Sequence, residues 1–262
     1  MDKYTKFALK IAKKGAARLM KDFKKFDPST RGTPKEIKTR YDEIIDKMLI
    51  REITREFPNH SMLTEESGWI RKGKNFLWII DPLDGTGNYM NGNPFFAISI
   101  ALWIKGKPHC GVIEAPALGE SFVAEKGKGA FMYKGSQKSK AKLSKTKDLK
   151  KAYLAFCEGG TKEKKRVLNY VTQFYTAAKD MRKLGSAALE CAWVGIGRAD
   201  VYITPSISLW DIAAGMIFVK EAGGRNLDFK LKPLTPKSLI ENFESINLAC
   251  ANKALKLKQI KY

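Results

Sequence analysis

The sequence predicts a mixed protein, α+β in its first half and α/β in its second. Three observations carry that reading. Two helical patterns open the chain, a block of short apolar or alternating runs follows, and beyond about residue 150 strand-like and helix-like segments alternate.

Residues 4–26 place Tyr4, Phe7, Ala8, Ile11, Ala12, Gly15, Leu19, Phe23 and Phe26 three or four apart, giving a helix with one apolar and one lysine-rich face. Tyr41, Ile44, Ile45, Met48, Leu49, Ile53 and Phe57 repeat the pattern over about 41–57, which Pro58-Asn59 ends. A basic amphipathic helix suits a membrane surface, but an aromatic stripe at this spacing is a core feature, so both helices are expected to pack inward. From Phe76 to about Tyr133, FLWIID, PFFAISIALWIKG, CGVIEAPALG and ESFVAEKGKGAFMYKG are separated by Gly, Pro and Asn, as in a mainly antiparallel sheet. The lysine-rich stretch around 134–150 reads as a boundary between an N-terminal part, 1–145, and a C-terminal part, 146–262. In the latter YLAFCEGG reads as a strand, 161–178 as a helix, GSAALECAWVGIG as a second helix and DVYITP as a strand. DIAAGMIFVKEAGG reads as a third helix closed by Gly223-Gly224, and INLACAN as the last strand.

With 262 residues, 44% hydrophobic and 11% aromatic, the chain can bury a large core. No apolar run approaches the ~20 residues of a membrane span, and lysines interrupt every candidate signal core in MDKYTKFALKIAKKGAARLM. A cytoplasmic protein with no membrane partner is expected. Cys110, Cys157, Cys191 and Cys250 form no C-x-x-C pair and only His60 and His109 are present, which argues against zinc and leaves oxygen-ligated Mg²⁺, Mn²⁺ or Ca²⁺. A net charge of +21 favours an anionic partner, whether nucleic acid, acidic membrane or phosphorylated metabolite, without choosing among them. Much of the excess sits in KGSQKSKAKLSKTKDLKK and NKALKLKQIKY, which also read as plain solvated surface.

Chemistry concentrates in WIIDPLDGTGNY, residues 78–89, where an apolar strand runs into two carboxylates. A single Asp there reads as a turn or cap residue. Asp81 and Asp84 together repel each other in a site of reduced dielectric, and no Lys or Arg lies within the turn, so a hard divalent cation meets their need. Pro82 and Gly85 shape the turn, the Leu83 carbonyl can point inward as a third oxygen, and the N–H groups of Gly85 and Thr86 suit a phosphate. Glu65 and Glu66 stand in a loop, Leu63–Gly68, before the sheet, and Asp211 opens a small-residue helix in LWDIAAG; their ordinary readings are a solvated loop and a helix cap.

Taken together these motifs resemble the inositol monophosphatase family of metal-dependent, lithium-sensitive sugar phosphatases, in the superfamily that includes fructose-1,6-bisphosphatase. Its D-P-x-D-G-T-x-N-[FY] signature is matched from Asp81 to Tyr89, its G-E-E-S-like loop by Thr64-Glu65-Glu66-Ser67, and its W-D-x-A-A-G by Trp210 to Gly215. PFFAISIAL, GVIEAPALGE, AEKGKGAF and GSAALE resemble the intervening segments, so the likeness spans nearly the whole chain.

The resemblance implies a layered αβαβα sandwich of the sugar-phosphatase type and a homodimer. It implies two or three Mg²⁺ ions, replaceable by Mn²⁺. Glu65, Asp81 and the Leu83 carbonyl would hold the first, and Asp81, Asp84 and Asp211 the second, with Glu65 near a weaker third. Thr86 and Asp42 would orient the attacking water. Asp84, Gly85, Thr86, Arg182, Gly185, Ser186, Ala187 and Asp211 would meet the substrate, and Arg31 stands where many members carry a lysine near a metal loop. Thr204 replaces a glutamate that contacts inositol in animal members. The implied substrate is therefore inositol monophosphate or a fructose 1,6-bisphosphate-like sugar phosphate, with 3′-phosphoadenosine 5′-phosphate or NADP as alternatives. A basic nucleic-acid-associated protein on the same fold is the rival of another class, and a catalytically silent homologue is disfavoured because no acid of the constellation is missing.

Overall fold

The computed structural model describes residues 1–23, 34–157 and 171–257, with the backbone alone for 34–39. Helix α1, Lys3–Phe23, buries Ala8, Ile11, Ala12, Gly15 and Leu19 of the predicted stripe, with Thr5 and Ala16 beside them, while Phe26 lies outside the described residues. Asp2 caps it by accepting the Thr5 N–H at 2.8 Å. Helix α2, Pro34–Glu56, begins well before the predicted Tyr41. Proline suits the first helical position because its φ is already helical and its missing N–H has no partner to lose there. The polar run after it carries no apolar stripe, which is why periodicity alone starts the helix late.

Strands β1 (Ser61–Thr64), β2 (Gly68–Ile70), β3 (Phe76–Asp84), β4 (Ala97–Ile104), β5 (Lys107–Ala115), β6 (Glu120–Glu125), β7 (Gly129–Lys134) and β8 (Gln137–Lys140) form one sheet in the order β2-β1-β3-β4-β5-β6-β7-β8. It is antiparallel apart from the parallel β1–β3 pair. Leu63 and Thr64, expected in a loop, are thus the end of a buried strand. A one-turn helix α3, Thr86–Met90, follows β3. The second sheet takes β9 (Tyr153–Phe156), β10 (Asp180–Arg182), β11 (Val201–Ile207), β12 (Arg225–Leu227) and β13 (Ile246–Ala251) in the order β10-β9-β11-β13-β12. Its β9 pairings are parallel and its β13 pairings antiparallel. Helices α4, Ala187–Gly195, and α5, Leu209–Glu221, are those predicted from GSAALE and DIAAG, and α6 is the short Pro236–Glu241. Of the helix predicted over 161–178, residues 171–175 are helical and 161–170 lie outside the described residues, as does Arg31.

Strand periodicity builds the layers. Trp78 and Ile80 of β3 face α1 and α2, while Ile79 between them faces α4 and α5. Tyr202 of β11 faces the same helices from the second sheet, whereas Val201 and Ile203 face Phe174 and Leu255 on the outer side. The order is helices, sheet, helices, sheet and an outer helical segment, the expected αβαβα sandwich. Inserting α5 between two sheets demands close approach, which Gly111 of β5 permits: a Cβ there would sit 2.7 Å from the Ala214 carbonyl oxygen. Among the described residues no helix is long and apolar enough to cross a membrane.

Gly111→Ala is expected to destabilise the protein by about 1–3 kcal/mol, the cost of forcing atoms into a filled core. A urea midpoint equal to the parent's would show that α5 can retreat freely.

Candidate metal centre

The parallel β1–β3 pair explains why distant acids meet. Thr64 lies opposite Ile80, and the Glu65 N–H donates to the Ile80 carbonyl at 3.2 Å, so Glu65 emerges beside Asp81. Asp211, in the first turn of α5, comes to the same place from the helical layer. Ligand oxygens of Glu65, Asp81 and Asp211 lie within 4.8 Å of one another, and so do those of Asp42, Glu65 and Glu66. Asp211 also accepts the Ser208 N–H at 3.3 Å in a capping box, so the cap reading and the cluster reading describe the same side chain.

Burial, then the charges of Glu65, Asp84 and Asp211, pushes the Asp81 carboxyl well up. Burial and the same kind of repulsion raise Asp211. Among the described residues no Lys or Arg stands with the leading influences on either group or on Asp84. Carboxylates so placed hold charge only with a cation among them. The all-oxygen donor set, together with a buried Asp42 Oδ2 that has no hydrogen-bond partner among the described residues, fits a hard divalent ion.

Thr86 Oγ1 lies 2.9 Å from Asp42 Oδ1 and 3.0 Å from the Leu83 carbonyl oxygen, joining α2, the end of β3 and the start of α3. Burial pushes Asp42 up to about 7, against the lowering effect of its bond to Thr86. Gly85 holds φ at 89°, and a Cβ there would sit 3.0 Å from both the Gly185 and Phe95 carbonyl oxygens, so the turn admits only glycine.

Asp84 is placed differently from its neighbours. Its carboxylate accepts the Ser186 hydroxyl at 2.5 Å and the N–H groups of Ala187 and Ala188 at 3.1 and 2.8 Å, making it the cap of α4. It belongs to neither of the 4.8 Å carboxylate groups, though burial holds it up to about 7 and its charge is felt by Asp81 and Asp211. Gly185, Ser186 and Ala187 therefore join the centre through Asp84. Arg182 does not converge: it lies on edge strand β10, half exposed, with its guanidinium on Asp180 and the Met181 carbonyl.

Several supporting residues escaped the sequence reading. Asn88 donates to the carbonyls of Phe95 and Leu184 at 2.6 and 2.7 Å, pinning the Gly185 loop. Glu190 is fully buried and accepts the Leu184 N–H at 2.9 Å. Ser67 donates to Asp46 at 2.5 Å and its N–H to Thr64 Oγ1 at 2.9 Å, shaping the Glu65-Glu66 turn. Glu66 itself joins the Asp42 group. The N and S inside the motifs are the one sequence signal for two of these.

Five alternating layers with an oxygen-rich acidic centre at the end of a sheet are the arrangement expected of a sugar-phosphatase-type sandwich. The chain belongs to the inositol monophosphatase family, whose model matches residues 1–259. It is 39% identical over 228 residues to the fructose-1,6-bisphosphatase/inositol-1-monophosphatase of Thermotoga maritima, covering 86% of this chain and 85% of that one. It is also 39% identical over 191 residues to the Nus factor SuhB of Xylella fastidiosa, covering 72% and 68%. The solved IMPase of Thermotoga maritima superposes with a TM-score of 0.79 at 35% identity over 95% of this chain and 92% of that one. The resemblance drawn from the three motifs is thereby borne out.

An unfolded aspartate ionises near pH 4, whereas Asp42 and Asp84 are held up to about 7. Between those values the folded metal-free protein binds more protons than the unfolded chain, so its stability falls as pH rises through the window. Urea unfolding in EDTA is expected to show lower stability at pH 8 than at pH 5. Mg²⁺ at 100 times its Kd should restore about 2.7 kcal/mol at pH 8. A flat profile in EDTA would contradict the raised carboxyls.

Proposed function

We propose that the chain is a Mg²⁺-dependent phosphomonoesterase acting on a small phosphorylated metabolite. The observation that carries this reading is the meeting of Glu65, Asp81 and Asp211 beside the Asp42–Thr86 hydrogen bond. Glu65, Asp81, Asp211 and the Leu83 carbonyl would hold the ions, with Asp84 lending its charge nearby. When bound, such ions supply Lewis-acid activation of water and neutralisation of the phosphate's charge.

The chain's own residues handle position and protons. Thr86 has one hydroxyl proton and two acceptors within reach, Asp42 Oδ1 and the Leu83 carbonyl. Donating to either leaves its lone pairs free to accept a hydrogen bond from water and so aim the water's oxygen. When Thr86 donates to Asp42, water's proton passes to the Thr86 oxygen as the Thr86 proton passes to Asp42 Oδ1, a carboxyl that burial pushes up to about 7. The N–H groups of Gly85 and Thr86, at the start of α3, orient the phosphate.

For the substrate we favour inositol monophosphate or a fructose 1,6-bisphosphate-like sugar phosphate, the activities in the name of the Thermotoga maritima relative. Thr204, in place of the family's inositol-contacting glutamate, is fully buried in β11 and keeps its hydroxyl on the Pro205 carbonyl, so it offers nothing to a sugar. That keeps 3′-phosphoadenosine 5′-phosphate and NADP in the screen. A second reading, nucleic-acid association, rests on the +21 charge and on a groove between α1 and α2 whose cations are Lys14, Arg18, Lys21, Lys47 and Arg51. Three of these five already pair with Glu52, Asp22 and Glu43, which weakens it.

Phosphate release from a panel of these esters, with Mg²⁺ and with or without Li⁺, tests activity and substrate together. Asp84→Asn with Asp211→Asn should lower kcat/KM at least about 100-fold, the upper end for partners that merely orient a metal ligand. Thr86→Ala should cost about 10²–10⁴ in kcat. Undiminished release by the double variant would remove the proposed centre. Salt-insensitive or absent RNA retention on filters would dispose of the second reading.

A further inference from the structure

A second cavity, of about 520 Å³, opens at the far end of the first sheet. Asp81 pairs with Ser99 and Phe76 with Ile104, so Trp103 and the acidic centre sit at opposite ends of β4. Along α5, Asp211 and Lys220 are roughly 14 Å apart at 1.5 Å per residue. The volume falls in the range of small-molecule sites.

Its walls are mainly apolar, built from Trp103, Met216, Ile217, Leu234 and Leu239. Lys107, Lys126 and Lys220 are exposed lining residues. Glu221, the one acid among the described lining residues, is already engaged, accepting the N–H groups of Gly127 and Gly129 at 3.0 and 3.1 Å. One wall residue carries a buried donor without an acceptor: Trp103 is 2% exposed, and its indole N–H has no partner among the described residues. Buried donors left unsatisfied are rare. Nothing in the phosphatase chemistry accounts for a pocket that combines apolar walls, three exposed lysines and an orphaned indole donor.

We propose that this cavity binds a small molecule with a flat apolar body and one anionic group. The body lies against Met216, Leu234 and Leu239, and the anionic end lies among Lys107, Lys126 and Lys220. A slight shift of the wall lets an acceptor on the ligand reach the Trp103 indole.

The probe is 8-anilinonaphthalene-1-sulfonate, followed by its fluorescence in the full chain. Mg²⁺ and inorganic phosphate are present throughout to compete at the acidic centre. Saturable binding of one dye per chain is expected. Leu234→Trp, which fills the cavity, and Lys220→Glu, which reverses an exposed charge, should each weaken it at least about tenfold. The uncharged N-phenyl-1-naphthylamine should bind at least about tenfold more weakly than the sulfonate. Absence of saturable binding overturns the proposal, as does an unchanged midpoint in a folded Leu234→Trp protein or equal binding of the uncharged dye. If Leu234→Trp fails to fold, the surface variant Lys220→Glu decides by itself. No readout depends on hydrolysis, so failure here leaves the phosphatase reading untouched.

Discussion

Like charges held together away from water are the constraint around which this molecule is arranged. Glu65, Asp81 and Asp211 arrive from a strand end, a neighbouring strand and a helix of another layer, and their oxygens crowd within 4.8 Å. Their mutual repulsion would drive them apart, since each adds to the cost of ionising the next. Three structural features hold them: the parallel β1–β3 register, the capping box of α5 and the close seat of α5 on Gly111. The fourth acid, Asp84, is partly relieved by the N-terminal amides of α4, where a negative charge is favoured. That contact also ties the end of β3 to the helical layer between the sheets.

Around this centre the polar residues of the signature act mainly as fasteners. Asn88 joins the turn to the loop before α4, and Tyr89 donates its hydroxyl to the Leu19 carbonyl at 3.0 Å, locking α3 to α1. Phe23, Tyr41 and Phe96 pack around the Tyr89 ring. Asp46 steadies the Glu65-Glu66 turn through Ser67. A displacement of a few tenths of an ångström in any of these would be felt at Thr86, whose hydroxyl reaches two different elements at once.

Legibility in the sequence followed the physics of each element. Helix α1 was readable because burial of one face imposes a 3.6-residue period, α4 and α5, buried nearly all round, as small-residue apolar runs, and β3 to β7 because strands bounded by Gly and Pro show short apolar runs. The start of α2 was hidden since PKEIKTR is a polar run with a single apolar residue, Ile37, and so shows no period. Strand β1 was taken for a loop because its residues lead directly into charged Glu65 and Glu66, and their burial depends on β3. The short β10 and β12 have too few residues for a period to show. Arg182 looked like a substrate contact from its place beside Gly185-Ser186, yet its neighbour Asp180 takes it on the same strand.

By itself the sequence determined the class of mixed fold and most of its elements, the acids of the motifs and, through those motifs, the family whose resemblance implies the layered sandwich, because periodicity, composition and contiguous motifs are local properties that folding does not alter. Only the tertiary structure decided that Asp84 caps α4 while Glu65, Asp81 and Asp211 form the tight group, that Thr204 is buried, and that Trp103 and three exposed lysines line a second cavity. Those outcomes depend on strand register and on helix seats set by residues up to a hundred or more positions away, and side-chain direction at a junction follows from the packing of both partners at once.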